Sequence, residues 1–495
     1  MSGLNGNAWG IDFGTTNSTL FGYIGQYGGG NPVPSAFGEA RRPIPSVVTI
    51  DREDGAVFVG RDAKIRYVNN PARYAYVHSI KTILDDDDWR LSVAGKVWRA
   101  VDIAAEIFKL LKMQAVRQSY MVKDLVVAIP NGASGKKRER IAKAAELAGL
   151  RVRQFVTEPI AAFFANYNTL KDVRYVVVFD WGGGTLDVTV LENRSDRKIV
   201  ELGKGGLQMA GDDLDLLIAR DIHRRLRESG RIAKTYEEVS DVAREQLVME
   251  CERAKCELSE KQESTITVAD YDGVTFIERL TREMMSRIIH QPVRRAAELL
   301  SKVIAESRLT VDDIGNVLVV GGSSKLLDVK EAIDRMFSRQ GGRVLKPKEA
   351  EWNVAKGACR LDYRAGVYYS AEDIGVILGD EEGSFFSLLN GYFSTAPDPL
   401  RRFNRSYGFG IMDTTRYPRI VFAARDIDGN LRPLDLKVAA RAYGFLTEKI
   451  ILDATVTESL VFAVKIKSDH TAEGNAVFWE YADMRLVYEA PSFGE

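Results

Sequence analysis

The sequence predicts an α/β domain built on mixed sheets, followed by a smaller all-β sandwich, and three observations carry that prediction. Up to about residue 370, short apolar runs alternate with long amphipathic stretches. Beyond that point helical periodicity disappears, and β-rich runs follow one another between turn signals. One motif, an apolar strand followed by Asp, a bulky residue, glycine and Thr, occurs twice, at 9–17 (WGIDFGTTN) and 178–187 (VFDWGGGTLD). Its two aspartates, Asp12 and Asp180, are 168 residues apart, which marks a duplicated half-domain.

Each element follows from its local pattern. Residues 28–45 are rich in Gly and Pro and read as an exposed loop. Residues 124–130 (DLVVAIP) form a strand closed by proline, and 136–149 (KKRERIAKAAELAG) a helix with Ile141, Ala144, Ala145 and Ala148 on one face and Gly149 as its stop. The runs 175–179 (YVVVF) and 316–320 (NVLVV) lack polar alternation and read as strands covered on both faces. Residues 239–258, 282–300 and 328–338 read as amphipathic helices. After the boundary, 385–389, 419–424, 434–440, 449–456, 461–466 and 485–488 read as strands, with turns such as 428–430 (DGN) and 473–475 (EGN) between them.

Composition narrows the class. A chain of 495 residues with 68 basic and 69 acidic side chains has a net charge of −1, so no general field draws nucleic acid or an anionic membrane. The near-cancellation hides an asymmetry. From residue 371 onward 13 basic residues face 19 acidic ones, a net of −6, which leaves +5 on the preceding part. The three cysteines are too few for a disulfide framework. Cys251 and Cys256 diverge by about 140° around a helix, so buried free thiols in a reducing compartment are expected. The N-terminal residues lack a cationic start and apolar core, and no apolar run approaches the ~18 residues of a membrane span. A cytoplasmic protein is the expectation.

The repeated hairpin carries chemistry. Gly14 in the first copy and Gly182, Gly183 and Gly184 in the second leave no Cβ to hold an anion away. Backbone N–H groups there can converge on a phosphate, helped by Thr15, Thr16, Asn17 and Thr185. An Asp at each strand end cannot face phosphate unaided, so a hydrated Mg²⁺ between them is required. Two such turns would clamp a nucleoside triphosphate. A third glycine turn, 319–325 (VVGGSSK), ends a buried strand; Gly321 and Gly322 let backbone approach an adenosine, and Ser323 can reach its ring or ribose.

These residues resemble the DnaK-type, seventy-kilodalton heat-shock chaperones of the actin-like ATPase superfamily. The match runs through 10–18 (GIDFGTTNS), 45–48 (PSVV), 59–64 (VGRDAK), 70–71 (NP), 79–84 (SIKTIL), 126–130 (VVAIP), 157–162 (TEPIAA), 179–187, 211–215 (GDDLD), 251–259 (CERAKCELS), 319–324 and 354–358 (VAKGA), in the family's order. The resemblance implies an actin-like (ribonuclease H-like), two-lobed ATPase domain over 1–365, with halves near 1–170 and 171–365. It also implies site roles. Lys81 stands where the family lysine contacts the γ-phosphate and attacking water, and Glu158 where its active-site glutamate lies. Thr185 matches a hydroxyl near the γ-phosphate, and Asp12, Asp180 and Asp187 match carboxylates that hold Mg²⁺ and a monovalent cation such as K⁺ through waters. Gly211 and Asp212 match the GDDLD segment, and Glu252, Lys255 and Ser259 the ribose and base contacts. Three departures occur: Cys256 and Lys325 (an adenosine-turn residue) replace arginines, and Ala210 a glycine. The implied reaction is in-line attack of water on the γ-phosphate of ATP to give ADP, slowly, because no arginine finger is evident.

Beyond residue 360 the resemblance thins. The family linker is an acid-flanked leucine run that docks on the ATPase domain and couples it to J-domain stimulation. Here 366–372 is its counterpart, with Val367, Tyr368 and Tyr369 as the apolar cluster. Residues 373–378 (DIGVIL) resemble the opening strand of the substrate-binding β-domain, so 373–495 is read as a β-sandwich without the helical lid. Phe385, Phe386, Leu388 and Leu389 are read as core packing. The favoured function is an ATP-hydrolysing chaperone whose nucleotide state controls polypeptide binding, with J-domain and nucleotide-exchange co-chaperones implied by the resemblance alone. The alternative is a nucleotide-gated regulatory or adaptor protein with one dedicated partner. A sugar kinase is disfavoured by TEPIAA and GDDLD.

Overall fold

Apolar runs without polar alternation become the inner strands of two large sheets, and the strand ends of these sheets build one edge. The computed structural model describes residues 7–25, 33–39, 42–130, 133–337, 344–347, 349–364, 367–378, 384–400, 403–410, 420–434, 449–457, 460–468, 477–481 and 484–489. The first sheet has the order Arg151–Thr157, Asp124–Ile129, Ala8–Phe13, Asn17–Ile24, Val33–Phe37, with Ile44–Pro45 also pairing to Asn17–Ile24. Parallel register aligns Asp12 with Ala128, and Ala128 with Val156. Asp12 and the start of the helix Glu158–Ala165 therefore leave this sheet along the same edge.

The second sheet repeats the arrangement. Its order is Val344–Leu345, Asn316–Val320, Tyr175–Trp181, Leu186–Asn193, Lys198–Leu207, Leu486–Glu489, Val367–Ser370. Asp180 pairs with Asp187 on one side and Val320 on the other, so the glycine turns after Trp181 and after Val320 emerge together. Helices Gly211–Glu228, Asp241–Leu258, Arg282–Glu306 and Leu327–Phe337 share one core with Phe179 and Trp181. The helix Asn353–Arg364 returns to pack on Ala8–Phe13 and on Glu158–Ala165.

Among the described residues no helix follows Arg364. Two four-stranded antiparallel sheets occupy this part. One is ordered Phe385–Leu389, Asp373–Ile377, Val421–Arg425, Leu431–Pro433, the other Asn404–Gly410, Lys449–Val456, Phe462–Ser468, Val477–Tyr481. Phe422 of the first stacks on Trp479 of the second with centroids 3.8 Å apart. Leu388 and Leu389 are buried as core packing requires, whereas Phe386 is 37% exposed. Residues 435–440 of the strand expected at 434–440 lie outside the described residues.

Three differences from the sequence reading have physical causes. The stretch 28–45 is not all loop: Val33–Phe37 is an edge strand, where Pro34 needs no ladder partner, and Phe37 is buried against Trp9 at 5.1 Å. Cys256 is exposed, because its offset around the helix turns it away from buried Cys251. The stretch 366–372, read as a linker, contains the strand Val367–Ser370, and Leu486–Glu489 pairs with that strand and with Lys198–Leu207 instead of joining the later sheets. Returning to the second sheet lets Tyr488 point inward, fully buried. No described helix is long and apolar enough to cross a membrane.

Candidate functional site

The strand-end turns of the two sheets face one another across a cleft of about 430 Å³, within the ordinary range of small-molecule sites. From the first sheet and its hairpin it is lined by Asp12, Gly14, Thr15, Thr16 and Asn17, with Lys81 from the helix Ile80–Ile83 and Glu158 from the start of Glu158–Ala165. From the second come Asp180, Gly182, Gly183, Gly184 and Thr185, and from the third turn Gly321, Gly322, Ser323 and Lys325. Gly211, Asp212, Glu252, Lys255 and Ser259 complete it from two helices. Asp187 stands one step behind, its Oδ2 accepting a hydrogen bond from Thr185 Oγ1 at 2.8 Å. All twenty-two candidate site residues thus gather in one place, twenty-one on the wall of the cleft and Asp187 behind it.

The hairpin tips meet closely. A Cβ on Gly183 would overlap Thr16 Oγ1, and one on Gly184 would come within 2.7 Å of Thr15. Gly321 holds φ +84°, where a side chain would also press on Asp180. Asp212 ties the halves together, accepting from Thr16 Oγ1 and from Ser79 Oγ, each at 3.2 Å. Ser323 Oγ donates to the Gly182 carbonyl at 2.7 Å, joining the second and third turns.

At the base of the cleft Lys81 Nζ lies 2.6 Å from Glu158 Oε1, both residues buried. Burial opposes the Lys81 charge, but Glu158, Asp12 and Asp187 outweigh it and hold the amine above its ordinary range. Burial, reinforced by repulsion from Glu158, pushes Asp12 up to about 7 and Asp187 to about 6. Asp180 rises well above the usual carboxylate range for the same reasons, with Asp187 and Asp12 adding to the repulsion. Such crowding favours a cation. The oxygen donors of Asp12, Asp180 and Asp187 suit Mg²⁺, which prefers oxygen ligands and keeps several of its waters, although among the described residues no three His, Cys, Asp or Glu side chains are grouped to ligate an ion directly.

More than half of the chain, residues 78–380, matches the family model described as Hsp70 protein. The chain belongs to the Hsp70 family. Hsp70 proteins are chaperones that bind ATP or ADP with Mg²⁺, act in general as ATPases, and engage client polypeptides and co-chaperones. The second and third glycine turns, Lys81 and Glu158 lie within the matched residues. The first hairpin precedes them, yet it faces the second across the cleft of this Hsp70 protein.

On the adenosine side the departures from the Hsp70 pattern have local explanations. Ala210 has φ −145°, an extended conformation open to any residue, and its N–H donates to Asp213 Oδ2 at 2.8 Å. Lys325 pairs with Glu351 at 3.1 Å. Glu252 pairs with Lys64 at 2.8 Å. Lys255 donates to Asp215 Oδ2 at 2.7 Å and to the Gly211 carbonyl at 2.8 Å, all buried. Sequence reasoning passed over Ser79, Lys64 and Asp215. All three stand inside matched motifs without a role there, and Lys64 pairs with a residue 188 positions away, a separation no local pattern reveals.

Proposed function

We propose that this Hsp70 family member hydrolyses ATP and that its nucleotide state controls polypeptide binding by the part after residue 370. The observation that carries the reading is the buried Lys81–Glu158 pair enclosed by two glycine hairpins and three proton-hungry aspartates. In this reading residues 1–365 are a two-lobed actin-like ATPase domain and 373–495 a β-sandwich that holds the client. The hairpin N–H groups with Thr15, Thr16 and Thr185 bind the phosphates. Lys81 stabilises charge on the γ-phosphate, Glu158 orients the attacking water, and Gly321, Gly322 and Ser323 line the adenosine. Asp12, Asp180 and Asp187 would hold Mg²⁺ through waters, with K⁺ as a second candidate ion; the divalent charge would offset that of the phosphates. Water then attacks in line with the departing ADP, by positioning and charge neutralisation.

A second reading is favoured by one observation: where the family has a leucine-rich linker, Val367–Ser370 is a strand within the second sheet. A protein with its domains so joined would suit a nucleotide-gated adaptor for one dedicated partner. ATP turnover of the full chain and of Lys81→Ala, with and without an unfolded polypeptide, separates the readings. Turnover that requires Lys81 and changes with polypeptide supports the chaperone ATPase. Wild-type turnover no faster than that of Lys81→Ala overturns the enzyme reading, and turnover indifferent to polypeptide favours the adaptor.

A further inference from the structure

The strand Leu486–Glu489 sits between Lys198–Leu207 and Val367–Ser370, pairing residue for residue with both: Tyr488 lies opposite Ile199 on one side and Tyr368 on the other. Tyr488 is fully buried and Tyr368 nearly so, with ring centroids 4.9 Å apart. On its far side the Tyr488 ring meets Phe164 edge-on, also at 4.9 Å. Phe164 belongs to Glu158–Ala165, the helix whose first residue is Glu158.

A polar path reaches the same helix. Glu201, on the strand that pairs with Leu486–Glu489, is buried, and its Oε1 accepts a hydrogen bond from Thr157 Oγ1 at 2.9 Å. Thr157 is the residue that immediately precedes that helix, at its N-cap. Tyr368 is close enough for the Glu201 charge to oppose ionisation of its phenol. The returning strand is clasped from outside as well. Glu489 is bonded to Lys198 and accepts from Tyr369 Oη at 3.1 Å, while the Lys198 ammonium lies 4.5 Å from the Tyr369 ring centre.

We infer that the strand Leu486–Glu489 is a positioning element for Glu158, acting through Tyr488 on Phe164 and through Glu201 on Thr157. The inference rests on the reading of Glu158 as the residue that orients the attacking water. Neither Glu201 nor Tyr488 lines the cleft. Both hold the helix that presents Glu158, one at its first turn and one near its end. Because the strand lies 291 residues after its partner Lys198, displacement of the later part of the chain would be felt at the water-orienting carboxylate without any contact to nucleotide.

The test uses the full chain, its Tyr488→Ala, Glu201→Ala and Glu201→Gln variants, ATP turnover, nucleotide affinity and amide hydrogen exchange. Tyr488→Ala and Glu201→Ala should lower kcat about tenfold, well within the ~100-fold cost of a 1 Å displacement, and change nucleotide Kd less than about twofold. Glu201→Gln, whose amide oxygen still accepts from Thr157, should recover most of that loss. Exchange across 157–165 should quicken in both Ala variants, a readout independent of turnover. Unchanged exchange there in Tyr488→Ala overturns the inference whatever the turnover. Quicker exchange with unaltered kcat overturns it too, provided Lys81→Ala abolishes turnover. Wild-type turnover no higher than that of Lys81→Ala removes the ATPase reading instead, and the positioning role falls with it. Should Tyr488→Ala fail to fold, the Glu201→Ala and Glu201→Gln pair carries the same readouts and the same refutation.

Discussion

Lys255→Met is the most exacting test of the electrostatics behind the cleft. In the folded protein Lys255 and Asp215 are both buried and 2.7 Å apart. Burial raises Asp215 to about 7 in spite of Lys255, whose charge and hydrogen bond pull the other way. Removing the ammonium takes away the charge and hydrogen bond that restrain that rise, so the variant's Asp215 must titrate higher still. A carboxyl whose folded value exceeds its ordinary 3.8 contributes stability that is full at low pH and is lost as pH climbs through the folded value. Wild type therefore stops losing stability near pH 7, whereas the variant continues to lose about 1.4 kcal/mol per pH unit above it. Below pH 7 the gap reduces to the lost hydrogen bonds, about 1 kcal/mol; above it the gap widens, by at most about 1.4 kcal/mol per pH unit. For 495 residues the unfolding entropy is about 1 kcal/mol/K. The melting temperature should then fall about 1 °C at pH 6 and further at pH 8.5, by at most about 3 °C. Thermal unfolding of both proteins across that pH range is the assay. A deficit that is constant, or that narrows as pH rises, would refute the reasoning.

Three further outcomes follow from particular contacts. Gly183→Ala should weaken ATP binding by roughly tenfold or more (about 1.4 kcal/mol) while leaving the melting temperature within a few degrees, because its Cβ meets Thr16 across the cleft and not a core residue; calorimetric titration reads the affinity. Tyr368→Phe should raise stability by about 1 kcal/mol, since the Tyr368 phenol oxygen is buried without a hydrogen-bond partner among the described residues, and chemical denaturation measures it. Chelating Mg²⁺ should cost ATP most of its stabilising effect on thermal unfolding, because Asp12, Asp180 and Asp187 then repel the phosphates unscreened; equal stabilisation with and without the ion would count against the acidic cluster as its seat.

The sequence and the structure agree where chemistry is local. The glycine turns were legible because glycine, aspartate and threonine recur in a fixed order, and the structure brings both copies to a single cleft. Strands at 124–129, 175–181 and 316–320 were legible because burial on both faces leaves an unbroken apolar run. What escaped depends on partners distant in the chain. Val33–Phe37 looked like loop because Gly and Pro are turn formers, yet pairing to Asn17–Ile24 and burial of Phe37 override that tendency. Glu201 reads as an ordinary strand residue until Thr157 is seen beside it. The motif LVYE around Tyr488 is strand-like on its face, but nothing in four residues says which of three sheets it joins.

That membership has a consequence for synthesis. The sheet that bears the second phosphate hairpin cannot be completed until residues 486–489 have left the ribosome, at about 5–20 residues per second. During that interval Lys198–Leu207 presents an open edge, with the pocket for Tyr488 exposed beside it. An unpaired edge beside an apolar pocket is a place where a nascent chain mispairs. A protein from a family that guards other chains during folding thus spends part of its own synthesis in the condition that such guardians recognise.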